Sequence, residues 1–168
     1  MKELELKVTF EDVYDWYKQV SLAIMQEESM IGYIDLYLFN KKGIEDNMSW
    51  ECEEELIDYI EEDLRISRKS SEFICDNLIN YNDMIFINEI CLDEDKRNKG
   101  YGSKALKQVI DNFEGTILLQ ASPLLKVINV SDYLNGVIDE MKELTERLVK
   151  FYKNLGFKAQ NYPYMIKQ

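Results

Sequence analysis

The segment that most constrains the fold is a predicted strand, loop and helix in direct succession. Residues 84–92 are mostly apolar, as expected for a central strand that is covered on both faces. Residues 102–113 repeat apolar side chains at helical spacing, which predicts an amphipathic helix with one core-facing side. A strand followed by such a helix packs as helix on sheet, so we predict an α/β fold.

A basic loop with the sequence RNKGYG, residues 97–102, joins this strand to this helix. The surrounding segment, 96–107, carries five basic residues and no acidic one, although the chain has a net charge of −12. Glycines in the loop permit close backbone approach, and the N–H groups of a helix N-terminus attract anions. The loop therefore predicts a polyphosphate site, and a surface turn that only caps the helix is the alternative. The sequence fits neither the P-loop nor the Rossmann glycine pattern.

The rest of the chain alternates predicted strands and helices, without a repeat or a low-complexity linker. Apolar runs bounded by turn residues predict strands, and apolar residues at three- and four-residue spacing predict helices. The predicted strands lie at 4–10, 17–26, 30–40 and 116–121, with one or two more in the tail, 157–167. The predicted helices lie at 49–64, 70–78 and 136–154, with Ser49 as the first cap and Gly156 as the last stop.

The composition excludes several kinds of chemistry. The chain has no histidine, so serine–histidine and cysteine–histidine catalysis and histidine metal ligands are excluded, and we expect no metal site. Proton transfer must use carboxylates, phenols, amines, thiols or water. The three cysteines are odd in number and unpatterned, which is typical of reduced thiols in a cytoplasmic protein.

The length and charge of the chain limit its domain number and its possible partners. The 168 residues favour a single domain, 1–168. We find no signal peptide, and no apolar run approaches the roughly 18 residues of a membrane span. The acidity argues against a broad nucleic-acid surface and is compatible with a cationic partner such as an amine, although solubility alone also explains it. We therefore expect neither nucleic acid nor a membrane as partner.

Two motifs resemble those of the GNAT superfamily, the GCN5-related N-acetyltransferases. The first is R-x-x-G-x-G at 97–102, and the second is LVKFYKNLGF at 148–157, which looks like a helix ending in F-Y-x-x-L-G-F. They stand in the family's order, with the predicted strand 116–121 between them. The resemblance covers residues 84–168 and identifies no subfamily.

The resemblance implies a fold, a cofactor and a binding site. It implies a mixed, mostly antiparallel central sheet that is splayed open and flanked by helices, with acetyl-CoA as co-substrate in the cleft. The backbone of Ile90, Cys91 and Leu92 is expected to pair with the pantetheine arm like an added strand. The pyrophosphate is expected at the loop and helix start, which comprise Arg97, Asn98, Lys99, Gly100, Tyr101, Gly102, Ser103 and Lys104.

Two residues are candidates for proton transfer. Tyr152 falls where the family often has a tyrosine that protonates the departing thiolate, and a packed, purely structural tyrosine is the alternative. Thr145 stands where the family often has asparagine, so one expected contact is in doubt. Glu89 is the carboxylate within the central strand, where burial would suit a general base. The alternatives are that Glu89 only pairs with a neighbour, or that water relays the proton.

The sequence departs from the family pattern in two places. The clearest early helix, 49–64, follows the strand hairpin, whereas the family usually places two helices before it. Extra residues also precede the F-Y helix, and the segment 124–135 is expected to be a lid or part of the acceptor-site wall.

These observations predict an acetyl-CoA-dependent N-acetyltransferase in which a primary amine attacks the thioester directly in a ternary complex. The acceptor is a small-molecule or peptide amine that the sequence does not identify, and the protein is a monomer or a homodimer. A non-catalytic acyl-CoA-binding or regulatory module is the first alternative. A structural or partner-binding α/β domain, without coenzyme A, is the second.

Overall fold

The computed structural model describes residues 3–14, 16–47, 53–78, 80–81, 83–123 and 137–168. Packing divides the chain into two compact units, Met1–Leu118 with Gln168, and Leu119–Lys167. The predicted cap Ser49 and the predicted lid 124–135 lie outside the described residues. The single domain over 1–168 stays a prediction.

Four antiparallel strands dominate the first unit. They are β1 (Leu4–Val13), β2 (Tyr17–Gln26), β3 (Ser29–Asn40) and β4 (Asp83–Leu92), each paired with the next. The four predicted strands are confirmed, and β1 continues three residues further than its apolar run. Glu27, with φ of 58°, lies in the turn between β2 and β3.

Three helices lie between β3 and β4 in the sequence. They are α1 (Lys41–Asn47), α2 (Glu53–Leu64) and α3 (Arg68–Leu78). The last two confirm the predicted helices over their described parts. The short α1 was not predicted, and it starts directly after β3, where the Asn40 side chain accepts the N–H of Gly43 at 3.0 Å. The predicted order is confirmed: these helices follow the hairpin of β2 and β3.

Aromatic side chains fill the core between the sheet and α2. The ring centroids of Trp16 and Phe39 are 5.6 Å apart, and those of Tyr17 and Tyr37 are 5.9 Å apart. All four residues are buried. The Tyr59 ring of α2 lies 5.6 Å from Trp16, so α2 covers this face of the sheet.

The helix α4 (Tyr101–Asn112) and the strand β5 (Thr116–Gln120) follow β4, and the first unit includes β5 as far as Leu118. The core-facing stripe predicted for α4 is confirmed by its three buried residues, which are Ala105, Leu106 and Val109. Two hydrogen bonds fix the helix beside the first strands: Gln26 Nε2 donates to Tyr101 Oη at 2.7 Å, and Gln108 Nε2 donates to the carbonyl of Leu4 at 2.8 Å.

The second unit contains α5 (Val137–Asn154), β6 (Lys158–Ala159) and β7 (Tyr164–Lys167). Gly156 ends α5 as predicted: its φ is 92°, and its N–H donates to the carbonyl of Lys153 at 3.0 Å. The strands β6 and β7 pair antiparallel and confirm the strands predicted in the tail. The end of β5 belongs to this unit, and Ala121 there donates its N–H to the carbonyl of Pro163 at 3.0 Å.

The strand order is β1-β2-β3-β4-β5-β7-β6. The pairs from β1 to β4 and the pair β6–β7 are antiparallel, and the sheet as a whole is mixed and flanked by helices. The predicted α/β class with a mixed, mostly antiparallel sheet is therefore confirmed. The predicted splay of the sheet stays a prediction.

The close approach of β3 to the end of β4 generates a stability prediction. A Cβ atom added at Gly32 would lie 2.3 Å from the carbonyl oxygen of Cys91, which is far inside contact distance. Gly32→Ala is expected to lower the free energy of unfolding by about 1–3 kcal/mol, because a paired backbone must shift. Urea denaturation followed by circular dichroism measures the change.

Gly102→Ala is the matched control for this prediction. A Cβ atom at Gly102 would have one neighbour within 4 Å, Leu92 Cδ1 at 3.5 Å, which is an ordinary contact. This variant should be as stable as the wild type or slightly more so, since alanine is the better helix former. Equal stability of both variants would contradict the close approach.

Candidate active site

The loop between β4 and α4 has a well-defined backbone. The N–H of Asp93 donates to the carbonyl of Ile31 at 3.0 Å, which fixes the end of β4. A single 3₁₀ turn, Glu94–Lys96, follows. Asn98 and Gly100 then adopt left-handed conformations, with φ of 58° and 80°. Residues with such φ values curl the chain tightly into the start of α4.

The first turn of α4 presents its N–H groups without helical partners. Lys104 is the first residue of the loop and helix to donate inside the helix, to the carbonyl of Gly100 at 3.2 Å. The N–H groups of Tyr101, Gly102 and Ser103 precede that bond, and Gly100, at the N-cap, has no side chain to cap them. The positive end of the helix dipole lies at the same place. The donors and the dipole together suit a phosphate group.

Gly102 leaves room beside these donors. Among the described residues, only Leu92 Cδ1 would touch a Cβ atom at this position. Packing against the described residues therefore does not require a glycine here, and they leave space at its Cα. This is the geometry expected where a bulky anion must approach the backbone closely.

The basic side chains of the loop divide into two groups. Lys96 forms an ion pair with Asp95 at 2.9 Å, which raises the pKa of Lys96 and lowers the pKa of Asp95. Arg97 donates through Nε to the carbonyl of Leu92 at 3.0 Å and so braces the loop against β4. Lys99 is exposed and Lys104 half-buried, with Ser103 beside it. These three remain the candidates for contacts with phosphate oxygens.

The end of β4 offers an edge of backbone groups. On one side, Ile90, Cys91 and Leu92 pair with β3. On the other side, β5 has five residues against ten in β4. The added Cβ of Gly115, just before β5, would lie 2.7 Å from the carbonyl of Asp83 at the start of β4. The short strand therefore begins beside the beginning of β4 and does not reach residues 90–92.

A β-bulge at Asn88 interrupts β4. Asp35 pairs with Glu89, but the next residue of β3, Leu36, pairs with Ile87. Asn88 is the extra residue, and it is exposed. Because directly paired residues share a face, the extra residue moves Glu89 onto the face that Asp35 occupies. Without the bulge, Glu89 would lie on the opposite face of the sheet.

Glu89 is half-buried and hydrogen-bonded. Tyr33 Oη donates to Glu89 Oε1 at 2.7 Å. This hydrogen bond, together with burial, raises the pKa of Tyr33, so its hydroxyl remains a donor at neutral pH. The carboxylate of Asp35 accepts a separate hydrogen bond from Ser21 Oγ at 2.5 Å.

Tyr152 lies in the second unit, on the buried side of α5. Its ring packs against Phe151 at 5.1 Å and Phe157 at 5.9 Å between centroids. Burial raises the pKa of Tyr152 to about 12, so the hydroxyl is protonated at neutral pH. Thr145 Oγ1 donates to the carbonyl of Met141 at 2.8 Å, within its own helix. The Thr145 hydroxyl is therefore engaged within its own helix.

The described residues also bear on metal sites and membrane spans. Across them, no group of three or more cysteine, aspartate or glutamate side chains is arranged to hold a metal ion. In the same part of the chain, no helix has both the length and the apolarity to cross a membrane. Of the cysteines described, Cys75 is buried, which raises the pKa of its thiol to about 12, and Cys91 is half-buried.

Sequence reasoning found the loop but missed what supports it. The predicted binding residues 90–92 and 97–104 form one continuous strand, turn and helix start. Tyr33, Gly32 and the bulge at Asn88 were not predicted. A glycine inside a strand pattern indicates close backbone approach, so the role of Gly32 could have been predicted from the sequence. The sequence contains no comparable signal for the Tyr33–Glu89 pair or for the bulge, since both depend on how β3 and β4 are paired.

Comparison with known proteins finds similar solved structures but no relative by sequence. No protein-family model matches the sequence, and no curated protein matches it. The N-acetyltransferase YlbP of Bacillus subtilis, solved in complex with coenzyme A, is similar over 90% of this chain and 68% of its own, with 12% identity and a TM-score of 0.43. Arylalkylamine N-acetyltransferase 2 from Aedes aegypti is similar over 88% of this chain and 72% of its own, with 14% identity and a TM-score of 0.46. Likeness at this level carries no argument about function, so the proposal below rests on the residues of this chain.

The open space at Gly102 generates a binding prediction. Gly102→Val should weaken coenzyme A binding at least tenfold, about 1.4 kcal/mol, because its side chain would enter the space beside the free N–H groups. Isothermal titration calorimetry measures the affinity, and Gly102→Ala should give an intermediate loss. Unchanged affinity in a folded Gly102→Val protein would remove the phosphate site from this loop.

The charge of the loop generates a second binding prediction. Affinity for coenzyme A should fall as salt is raised from low to physiological concentration, because cationic side chains hold an anion in an acidic chain. Dephospho-coenzyme A should show a shallower dependence if Lys99 or Lys104 meets the 3′-phosphate. A flat salt titration for both ligands would contradict electrostatic capture.

Proposed function

We propose that this chain is an acyl-CoA N-acyltransferase that transfers an acetyl group from acetyl-CoA to a primary amine. The observation that carries the proposal is the loop at 97–104, where three N–H groups without helical partners, a left-handed glycine and open space at Gly102 meet. The resemblance of both sequence motifs to those of the N-acetyltransferases points to the same activity.

The described residues fit the donor. The N–H groups of Tyr101, Gly102 and Ser103 would hold the pyrophosphate, with Lys99 and Lys104 adding charge. A Cβ atom at Gly102 would fill the space that the phosphate needs. The backbone edge at 90–92, beyond the end of β5, would hold the amide-containing arm through strand-like hydrogen bonds.

The thioester of acetyl-CoA supplies an activated acyl carbon and a thiol leaving group. Backbone N–H groups near the bulge of β4 would polarise the carbonyl oxygen, as in an oxyanion hole. Glu89, or a water molecule that it binds, would accept a proton from the ammonium form of the acceptor, since a protonated amine cannot attack. Tyr152 would give its hydroxyl proton to the departing thiolate.

The test of the proposal is release of free thiol from acetyl-CoA in the presence of a panel of amines. The panel covers polyamines, amino acids, peptide N-termini, lysine side chains and aminoglycosides, because the acceptor is not identified. Thiol release that requires one class of amine supports the enzyme. Coenzyme A binding without release for any amine supports the non-catalytic binding module, and no binding at all supports a structural domain.

The variant Tyr152→Phe tests whether Tyr152 acts as the general acid. The ring remains, so packing and coenzyme A affinity should change little, while kcat should fall by roughly 100-fold, in the range of general acid catalysis. The protonated state required of the acid is favoured by burial, which raises the pKa of Tyr152 to about 12. The measurement is kcat for wild type and variant with acetyl-CoA.

A second donor separates the acid from a structural hydroxyl. With an acyl donor whose leaving thiol has a lower pKa, the thiolate needs less protonation, so the defect of Tyr152→Phe should shrink. A structural role would slow both donors equally. Near-full activity of Tyr152→Phe with acetyl-CoA would remove the acid role.

A further inference from the structure

A row of polar side chains crosses the sheet beside the bulge of β4. Ser21, Asp35 and Glu89 are cross-strand neighbours on β2, β3 and β4. Tyr33 stands two residues from Asp35 on the same strand and therefore on the same face. All four side chains are half-buried, in a sheet whose other central positions are mostly apolar.

The two carboxylates of the row are an unfavourable pair for stability. Asp35 and Glu89 lie directly opposite each other, and like charges at such positions destabilise a sheet. Neither has an ion-pair partner among the residues that the structure describes. A role in holding the sheet together does not account for a second carboxylate here, whereas a chemical role does.

Two separate hydroxyl groups fix the two carboxylates. Ser21 Oγ donates to Asp35, and Tyr33 Oη donates to Glu89 Oε1. Because Asp35 has its own donor, it does not compete for the Tyr33 hydroxyl. Glu89 keeps Oε2 as an acceptor, with its orientation set by the bond at Oε1.

We infer that Tyr33 is a positioning residue that holds the Glu89 carboxylate in place to accept a proton from the acceptor amine. The inference rests on the proposed function. A glutamate side chain has three rotatable bonds, and a hydrogen bond to one oxygen from a rigid neighbour removes most of that freedom. The phenol is a suitable holder because its own ring is anchored on β3, directly opposite Cys91.

The proton transfer is balanced within this arrangement. Glu89 Oε2 takes one proton from the ammonium group of the acceptor. The N–H bond breaks and its electron pair stays on nitrogen as the attacking lone pair. Glu89, now a neutral acid, returns the proton to water after turnover. Tyr33 donates the same hydrogen bond throughout and exchanges no proton.

A double-mutant cycle tests the inference with the amine that supports thiol release. Tyr33→Phe should lower kcat about tenfold in the wild-type background, with the acceptor KM and coenzyme A affinity changed less than twofold. In a Glu89→Gln background it should cause no further loss, since a positioning residue acts only through the group that it holds. The same fold loss in both backgrounds would overturn the inference.

Tyr14→Phe is the matched control. Tyr14 Oη also donates to a carboxylate, Asp12 Oδ2, at 3.0 Å, but both residues are exposed and stand on or beside β1. This variant also loses one tyrosine hydroxyl that is bonded to a carboxylate. It should keep wild-type kcat. A comparable loss in Tyr14→Phe would show that the defect of Tyr33→Phe is not specific to Glu89.

An NMR measurement that needs no catalytic activity tests the Tyr33–Glu89 contact independently of the proposed function. In protein labelled with ¹³C at glutamate carboxyl groups, the resonance missing in Glu89→Gln should shift in Tyr33→Phe and stay in place in Tyr14→Phe. An unshifted resonance would remove the contact and the inference together. A shifted resonance in a protein that releases no thiol with any amine would remove the proposed function, and with it the catalytic role, while the contact stands.

Discussion

The pairing of β3 with β4 is the constraint on which the rest of the structure depends. Every candidate group of the first unit lies on these two strands or directly follows β4. Gly32 lets the strands approach at Cys91, and Asn88 bulges out of the ladder four residues before the end of β4. The first feature fixes the distance between the strands, and the second decides which face Glu89 occupies. The loop then leaves β4 from a position held by the Asp93–Ile31 hydrogen bond.

The backbone, more than the basic side chains, makes the loop a candidate anion site. Lys96 is engaged by Asp95, and Arg97 is engaged by the carbonyl of Leu92, so two of the basic side chains stabilise the loop itself. The N–H groups of Tyr101, Gly102 and Ser103 stand at the positive end of a helix, before its first internal hydrogen bond. Such an arrangement suits phosphate without a specific side chain, which is how the proposed site would hold an anionic ligand in an acidic chain.

In this chain without histidine, the proposed proton transfers use a phenol and a carboxylate. Burial raises the pKa of Tyr152, and the hydrogen bond to Glu89, with burial, raises the pKa of Tyr33. In the proposed mechanism the two tyrosines have different tasks. Tyr152, packed against Phe151 and Phe157, gives its proton to the thiolate, and Tyr33 donates a hydrogen bond to the Glu89 carboxylate. The environment of each phenol, and not the residue type, makes this difference.

The sequence by itself determined the elements and the loop, because their signals are local. Apolar periodicity predicted β2, β4 and α4 within a residue or two, and the glycines and charges of 97–102 predicted an anion site. The helix α1 was not predicted, because it has only seven residues and follows β3 directly, so its sequence resembles the turn at the end of a strand. Only the tertiary structure decided the setting of Glu89. Its partner Tyr33 is 56 residues away in the sequence, and its face depends on one unpaired residue in β4. Strand register is a property of two paired segments. A bulge that moves a side chain to the other face of the sheet therefore does not show in the apolar periodicity of either segment alone.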